Sequence, residues 1–295
     1  MKSTHDSLGR RTRFKRVSEG TNHRVLSRDI AWFSFLHRHG GRLPTSYLFN
    51  ATKDTHRSFQ VCQVRLKHLY QELKLIDRPW QQEETIDPRY NELIHELNEK
   101  SRAVLLSEGL LHKHAPSPNG SFKHQVMLSC ISASFELNAK EAGLTYIPQH
   151  EVVTNNYIEV EGDKVSPDGV FMLEIGGKKL LVFLEVDRGT EATFSDNFNR
   201  KSWKRSIRQY RQIIGHGLYK KRYGVECGAL LLVVTISRAK ELGILNVIEQ
   251  EFDKGCNYMM VTHLTEFGRV FHPPKVLDML GIEWQRSGHQ PFKFS

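Results

Sequence analysis

The sequence predicts an α+β protein, and three observations support that fold class. Positive charge is concentrated near the N-terminus: up to Trp80 there are 16 lysines and arginines against 6 acids, whereas the whole chain has 42 against 33, a net charge of +9. A stretch rich in Pro, Ser and Gly covers residues 112–120 and is typical of a linker. Apolar runs of strand length alternate with helical patterns after it. We therefore predict a basic arm over 1–25, a helical domain over 26–115, and an α/β domain with a mixed sheet over 121–295.

The first domain is predicted to be a winged helix-turn-helix. A helix opens at Ser27 and ends before two glycines, a short second helix follows Pro44, and a long third helix covers about 56–73. A wing of two short strands is expected within residues 75–86. Three helices followed by a β-segment are typical of DNA-binding domains of this class.

The third helix carries the residues that we expect to contact DNA, at spacings that place them roughly on one face. They are Arg57, Gln60, Gln63 and Lys67. Such side chains bind phosphates or base edges, and the alternative is that each is a solvated surface residue. The arm over 1–25 either lies along phosphates or is a solubilising tail.

A hairpin is predicted at the centre of the second domain. Apolar runs at 170–175 and 180–186 are joined by Gly176-Gly177, a two-residue turn. In this register paired residue numbers have a constant sum, so Asp168 lies opposite Glu185. Side chains alternate along a strand, so Asp187 lies on the same side as Glu185. The three acids therefore converge at the end of the hairpin far from the turn.

Three clustered carboxylates predict a metal site, because like charges repel unless a cation or a proton separates them. Hard oxygen ligands suit Mg²⁺ or Mn²⁺, and we expect Asp168, Glu185 and Asp187 to bind one such ion. The alternative is acids at strand ends that are solvated or paired with lysine or arginine.

These residues resemble known motifs. Pro167-Asp168 followed by Glu185-Val186-Asp187 is similar to the PD-(D/E)xK nuclease motif, except that Asp187 stands at the motif's lysine position. The string LEVDRGTE, followed by a basic helix with Tyr210, resembles the replication-relaxation family, which includes MobC-type plasmid relaxases and is associated with mobile elements. The resemblance implies a restriction-endonuclease-like α/β domain behind the winged helix.

The resemblance also implies a function: an Mg²⁺-dependent endonuclease that nicks or cuts DNA at a plasmid or mobile-element site. Asp168 and Glu185 would bind the metal, Asp187 would assist, and Lys201 or Lys204 would stabilise the phosphate. His124 matches a histidine that the family has near the first helix of this domain, and Glu136 is a weaker candidate for a fourth acid or else a solvated helix residue. Tyr210 is the nearest tyrosine on the basic helix, and we expect it not to act as a nucleophile.

A long basic helix is predicted over 193–219, directly after the acids. Arg200, Arg205 and Arg208 on this helix are expected to bind the DNA backbone. The alternative is an ordinary amphipathic helix whose basic face is solvent-exposed. Further predicted elements are a helix over 122–143, strands at 146–153, 157–160, 229–236 and 258–264, and a helix over 239–253. The segment from Arg269 shows no clear pattern.

Several classes of protein are disfavoured. The sequence has no nucleotide-binding glycine loop, no serine-hydrolase elbow and no zinc-protease motif. It has no apolar run of membrane-spanning length and no visible secretory signal, and its four cysteines form no pair motif. We expect a cytoplasmic protein that binds double-stranded DNA, with accessory mobilisation or replication proteins and a homodimer as further candidate partners. The rival hypothesis is a DNA-binding replication or transcription regulator with a catalytically inactive nuclease-like domain.

Overall fold

The computed structural model describes Phe14, Arg16 and residues 24–294, apart from residues 88, 91, 117–119, 156, 190 and 194–201. The helices within this part are α1 (Ser27–Arg38), α2 (Thr45–Ala51), α3 (Phe59–Gln71), α4 (Gln81–Thr85), α5 (Glu99–Ser107), α6 (Phe122–Glu141), α7 (Gln149–Val152), α8 (Trp203–Gly215), α9 (Leu218–Tyr223) and α10 (Arg238–Glu251). The strands are β1 (Arg42–Pro44), β2 (Ile76–Asp77), β3 (Ile94–Leu97), β4 (Thr145–Ile147), β5 (Ile158–Val160), β6 (Asp163–Val165), β7 (Gly169–Ile175), β8 (Lys178–Asp187), β9 (Gly228–Thr235), β10 (Met259–His263), β11 (Trp284–Arg286) and β12 (His289–Phe292).

A seven-stranded mixed sheet forms the centre of the molecule, which confirms the predicted mixed α/β architecture. Its strand order is β12-β11-β10-β9-β8-β7-β4. Strands β8, β9 and β10 run parallel, and the flanking pairs are antiparallel. Helices α8 and α10 pack on one face of the sheet and α6 packs on the other. The carboxyl ends of β8 and β9 lie at the same edge of the sheet as the first turns of α8 and α10, the helices that follow them.

The hairpin β7–β8 has the register that the sequence predicts. Glu174 lies opposite Lys179, and Gly169 lies opposite Leu184. Gly176 and Gly177 both have positive φ, 57° and 76°, as a two-residue turn of this type requires. Both faces of the hairpin are covered by apolar side chains, which fixes the register, because a slip of one residue would move every side chain to the other face.

The N-terminal part pairs its strands differently from the prediction. Strand β3 lies between β1 and β2 in a three-stranded antiparallel sheet beside α1–α3, so the expected pairing within 75–86 is wrong. The amphipathic pattern of residues 91–110 predicts a helix followed by a turn or strand, but the order is reversed: β3 comes first and α5 begins only at Glu99. Asn98 caps it by accepting hydrogen bonds from the amides of Lys100 and Ser101, and the residues before this cap are free to extend as β3.

Three further expectations are corrected. The segment 146–153 is a three-residue strand followed by α7, because Pro148 ends the strand. The basic helix breaks at Gly217, which has φ of 67° and separates α8 from α9. Residues from Arg269 onwards, without a visible pattern, contribute the hairpin β11–β12 to the sheet edge.

Apolar packing is continuous between the N-terminal helices and the α6 side of the sheet. Trp32 of α1, Phe135 of α6 and Trp284 of β11 belong to one buried cluster. The hydroxyl of Tyr47 also donates to the carbonyl of Lys275 at 3.3 Å. The domain boundary predicted at residues 115–121 therefore stays a prediction, because the two parts of the chain share one hydrophobic core. Within the described residues, no helix combines the length and apolar character needed to cross a membrane.

Candidate functional site

Asp168 is held at the open end of the hairpin, opposite the end of β8. Its Oδ2 accepts a hydrogen bond from the amide of Val186 at 2.9 Å. Its Oδ1 lies 3.4 Å from Nε2 of His124, in the first turn of α6, and 24% of the Asp168 side chain is exposed. The backbone bond ties Asp168 to the strand that carries Glu185, as the register predicts. His124, which the sequence analysis identified, contacts Asp168 from α6, on the face of the sheet opposite to α8.

Glu185 is bound by the hydroxyl of Tyr210 from α8. The hydroxyl donates to Oε1 of Glu185 at 2.5 Å, and Tyr210 is 1% exposed. Burial raises the pKa of Tyr210 well above its usual value, and the negative charges of Glu185 and Asp168 raise it further. The phenol therefore stays protonated and acts as a hydrogen-bond donor. Asp168 and Glu185 both lie close enough to Tyr210 for their charges to affect its pKa.

Asp187 lies in a buried network instead of facing solvent. Its Oδ1 accepts from the amide of Gly189 at 2.7 Å, and its Oδ2 accepts from Nε1 of Trp203 at 2.7 Å. The ammonium of Lys240 lies 3.2 Å from Oδ2. Both carboxylate oxygens are thus satisfied by the protein.

The expected group of three acids around one ion is not formed in the part of the chain that the structure describes. There, no three His, Cys, Asp or Glu side chains are placed to share a metal ion. The reason is Asp187, whose oxygens are directed to Trp203 and Lys240. Asp168 and Glu185 remain as the pair that is brought together.

Among the described residues, a lysine that sequence reasoning missed contacts one of the three acids. Lys201 and Arg200 lie outside the described residues. The amide of the half-buried Lys204 donates to the carbonyl of Thr193, but its side chain makes no hydrogen bond or ion pair among those described. Lys240 instead reaches Asp187 from the first turn of α10. Asp187 pairs with Thr235 at the end of β9, and α10 starts just after that strand. Aligning the sequences of β8 and β9 as a parallel pair in this register would have predicted that Lys240 lies near Asp187.

The predicted DNA-binding arginines of α8 are paired with acids. Arg205 lies 2.6 Å from Asp163 of β6, and Arg208 lies 2.9 Å from Glu251 of α10. These acids offset the positive charge of the helix. Contact of Arg205 and Arg208 with a DNA backbone stays a prediction, and it would require the arginines to exchange these partners.

The outer surface of α3 presents most of the residues predicted to contact DNA. Gln60 and Lys67 are exposed and Gln63 is half-buried, whereas Leu66 faces the core. Arg57 is also exposed, but the prediction that it lies on the helix is wrong, because Ser58 caps α3 and the helix begins at Phe59. Val61 and Val64 are also exposed on this helix, 42% and 43%. The helix therefore has a mixed polar and apolar outer face with no acid among these residues.

Glu136 is neither a fourth acid of the site nor a solvated residue, which corrects both alternatives. Its Oε1 lies 2.6 Å from the guanidinium of Arg38, and its Oε2 lies 2.8 Å from Nε2 of the buried His39. Burial alone would raise the pKa of Glu136, but hydrogen bonds and charge from His39 and Arg38 outweigh it and lower the pKa to about 2. Glu136 thus joins α1 to α6.

Comparison with known proteins assigns the chain to a family. The model of a family described as replication-relaxation matches residues 33–227, which is more than half of the chain. The chain belongs to the replication-relaxation family. The match runs from within α1 to beyond α9 and includes Asp168, Glu185 and Asp187. The description of the family supports a role connected with DNA. No curated protein and no solved structure matches the chain.

Proposed function

We propose that this replication-relaxation protein is a metal-dependent DNA nickase, with a winged helix that binds DNA and a centre at Asp168 and Glu185 that cleaves it. The observation that carries the proposal is the hydrogen bond from the Val186 amide to Asp168. It keeps one carboxylate beside the strand that supplies the other. Two carboxylates held close repel one another, and a cation between them would remove that repulsion.

The donor set fits Mg²⁺ or Mn²⁺. Asp168 and Glu185 supply hard oxygen ligands and are both partly exposed. Mg²⁺ commonly uses only one or two carboxylates and completes its shell with water and phosphate oxygens. Asp187 does not fit as a ligand, because both its oxygens are hydrogen-bonded and its side chain is 1% exposed. When bound, an ion of this kind activates water and stabilises charge on a phosphate.

The surrounding side chains orient the two acids. Tyr210 donates to one oxygen of Glu185 and thereby orients its carboxylate. His124 contacts one oxygen of Asp168, while the Val186 amide fixes the second. Lys240 offsets the charge of Asp187, which is buried at the end of β8. These contacts support a prearranged acid pair whose positions do not depend on DNA.

The architecture supports both halves of the proposal. Elements α6, β4, β7, β8, α8 and β9 follow the helix, three strands, helix and strand order expected of a PD-(D/E)xK domain. In the N-terminal part, α1–α3 with the antiparallel β1–β3 sheet are compatible with a winged helix whose recognition helix is α3. The excess of ten positive charges up to Trp80 favours an anionic polymer as its partner.

A second candidate function is a DNA-binding replication or transcription regulator whose nuclease-like domain is inactive. One observation favours it: the motif's lysine position holds Asp187, and Lys240 is committed to that acid and to the carbonyl of Glu191. A lysine engaged in this way is a poor partner for a phosphate. In this case the domain would serve as a scaffold.

Metal-dependent melting separates the two candidates. Millimolar Mg²⁺ or Mn²⁺ should raise the melting temperature of the wild type, since a ligand of the folded state stabilises it. Asp168→Asn should abolish the rise, whereas the matched surface variant Asp163→Asn should keep it. An unchanged melting temperature of the wild type would favour the regulator.

A further inference from the structure

Two cations lie beside the acid pair without an acid of their own. Lys123 is in the first turn of α6, next to His124, and Arg188 follows Asp187. The ammonium of Lys123 and the guanidinium of Arg188 lie 5.5 Å and 5.3 Å from the ring centre of Phe271. Among the described residues neither has an ion pair with a carboxylate.

Arg188 retains unused donors. One terminal nitrogen donates weakly to the carbonyls of Phe267 and Gly268, at 3.3 and 3.5 Å, and its buried Nε has no partner. A buried donor without a partner is unfavourable. Nε is enclosed by protein atoms, whereas the second terminal nitrogen makes no hydrogen bond among the described residues and is the donor that a ligand would use.

The two charges also act on one another. Partial burial lowers the pKa of Lys123, and the charge of Arg188 lowers it further. Contact with the face of Phe271 attracts both cations but does not neutralise them. An anion between Lys123 and Arg188 would remove the repulsion, and the N-terminal turn of α6 adds positive potential at the same place.

We propose that Lys123 and Arg188 together bind a backbone phosphate of DNA, adjacent to the phosphodiester that Asp168 and Glu185 address. The assignment of the anion to DNA rests on the proposed function. The position supports it: His124 separates Lys123 from Asp168, and Asp187 precedes Arg188, so the cation pair borders the acid pair on two elements. The arginine supplies planar donors and the lysine a point charge, a common combination for phosphate.

The test is the salt dependence of DNA binding by the full-length protein in EDTA, which removes cleavage from the measurement. Lys123→Gln and Arg188→Gln are compared with Lys178→Gln, an exposed lysine at the turn end of the hairpin. Each site variant should reduce the slope of log affinity against log salt by about 1, and Lys178→Gln should leave the slope unchanged. Lys123→Arg and Arg188→Lys should restore it, and they serve as the test if a glutamine variant does not fold.

The outcomes separate this inference from the proposed function. DNA binding with equal slopes for the site variants and Lys178→Gln overturns the assignment of the site to a DNA phosphate and leaves the nickase proposal standing. Failure of the wild type to bind DNA overturns both. If inorganic phosphate raises the melting temperature of the wild type but not of Lys123→Gln, while the slopes are equal, the site takes free phosphate and the assignment to DNA is wrong.

Discussion

The ammonium of Lys240 lies 3.2 Å from Oδ2 of Asp187, and the two side chains are only 13% and 1% exposed. Trp203 and the amide of Gly189 bind the same carboxylate. This buried pair joins α10 to the end of β8. It brings a lysine from α10, the fourth element after β8, to the motif position where the sequence has an acid.

Loss of Lys240 should destabilise the fold, because it leaves Asp187 charged and buried without its counter-ion. We expect Lys240→Met to lower the free energy of unfolding by about 3–5 kcal/mol. Lys204→Met is the matched control, since Lys204 has no such partner among the described residues, and should change it by less than about 0.5 kcal/mol. Urea unfolding measures both. Equal effects of the two variants would contradict a structural role for the pair.

Tyr210 should be dispensable for cleavage chemistry. Its hydroxyl is buried, protonated and bound to Glu185, so it is a poor nucleophile. We expect Tyr210→Phe to keep metal-dependent nicking and to lose about 1.5–3 kcal/mol of stability from the bond to a charged acceptor. Denaturing gels after incubation with DNA provide the check. A DNA–protein adduct in the wild type that is missing in Tyr210→Phe would show that the tyrosine attacks.

The outer face of α3, together with Arg57 just before its cap, should carry DNA recognition. Arg57→Ala and Lys67→Ala should each weaken binding of the full-length protein to duplex DNA, by about 1–3 kcal/mol for a residue that contacts a base. Lys100→Ala on α5, also exposed, removes the same charge as Lys67→Ala away from this face and should have little effect. Fluorescence anisotropy at fixed salt gives the affinities. Equal losses for all three variants would mean that only net charge matters.

Acid should weaken the junction between α1 and α6. The pKa of Glu136 is about 2 in the folded protein, lower than in the unfolded chain, so the unfolded state binds the proton first as pH falls. The stability from this group is present above about pH 4.5 and is lost as pH falls towards about 2. Glu136→Gln should therefore show a shallower fall in the free energy of unfolding over this range. Parallel curves for the wild type and Glu136→Gln would contradict the assignment.

The hairpin was predictable because its information is local. Gly176 and Gly177 demand a two-residue turn, and the turn fixes every pair up to Asp168 and Glu185. The capping residue Asn98 was equally visible, but the apolar spacing of residues 93–105 fits a continuous helix, and only the cap separates β3 from α5.

The partners of the acids were not predictable in the same way. Lys240 reaches Asp187 because β8 and β9 are parallel and in register, a relationship between elements distant in sequence. Arg205 meets Asp163 because the small β5–β6 hairpin packs beside α8. Pairing of this kind depends on tertiary placement, which residue types and spacing leave open.

Nicking of supercoiled plasmid tests the central claim most directly. The full-length protein should convert supercoiled DNA to the open circle with Mg²⁺ or Mn²⁺ and not in EDTA, because Asp168 and Glu185 need the cation to act on a phosphodiester. Asp168→Ala and Glu185→Ala should abolish the conversion while DNA affinity is kept, and Asp163→Asn should nick like the wild type. A wild-type protein that binds this DNA but leaves it supercoiled at saturating metal, or nicking that persists in Asp168→Ala, would contradict the account.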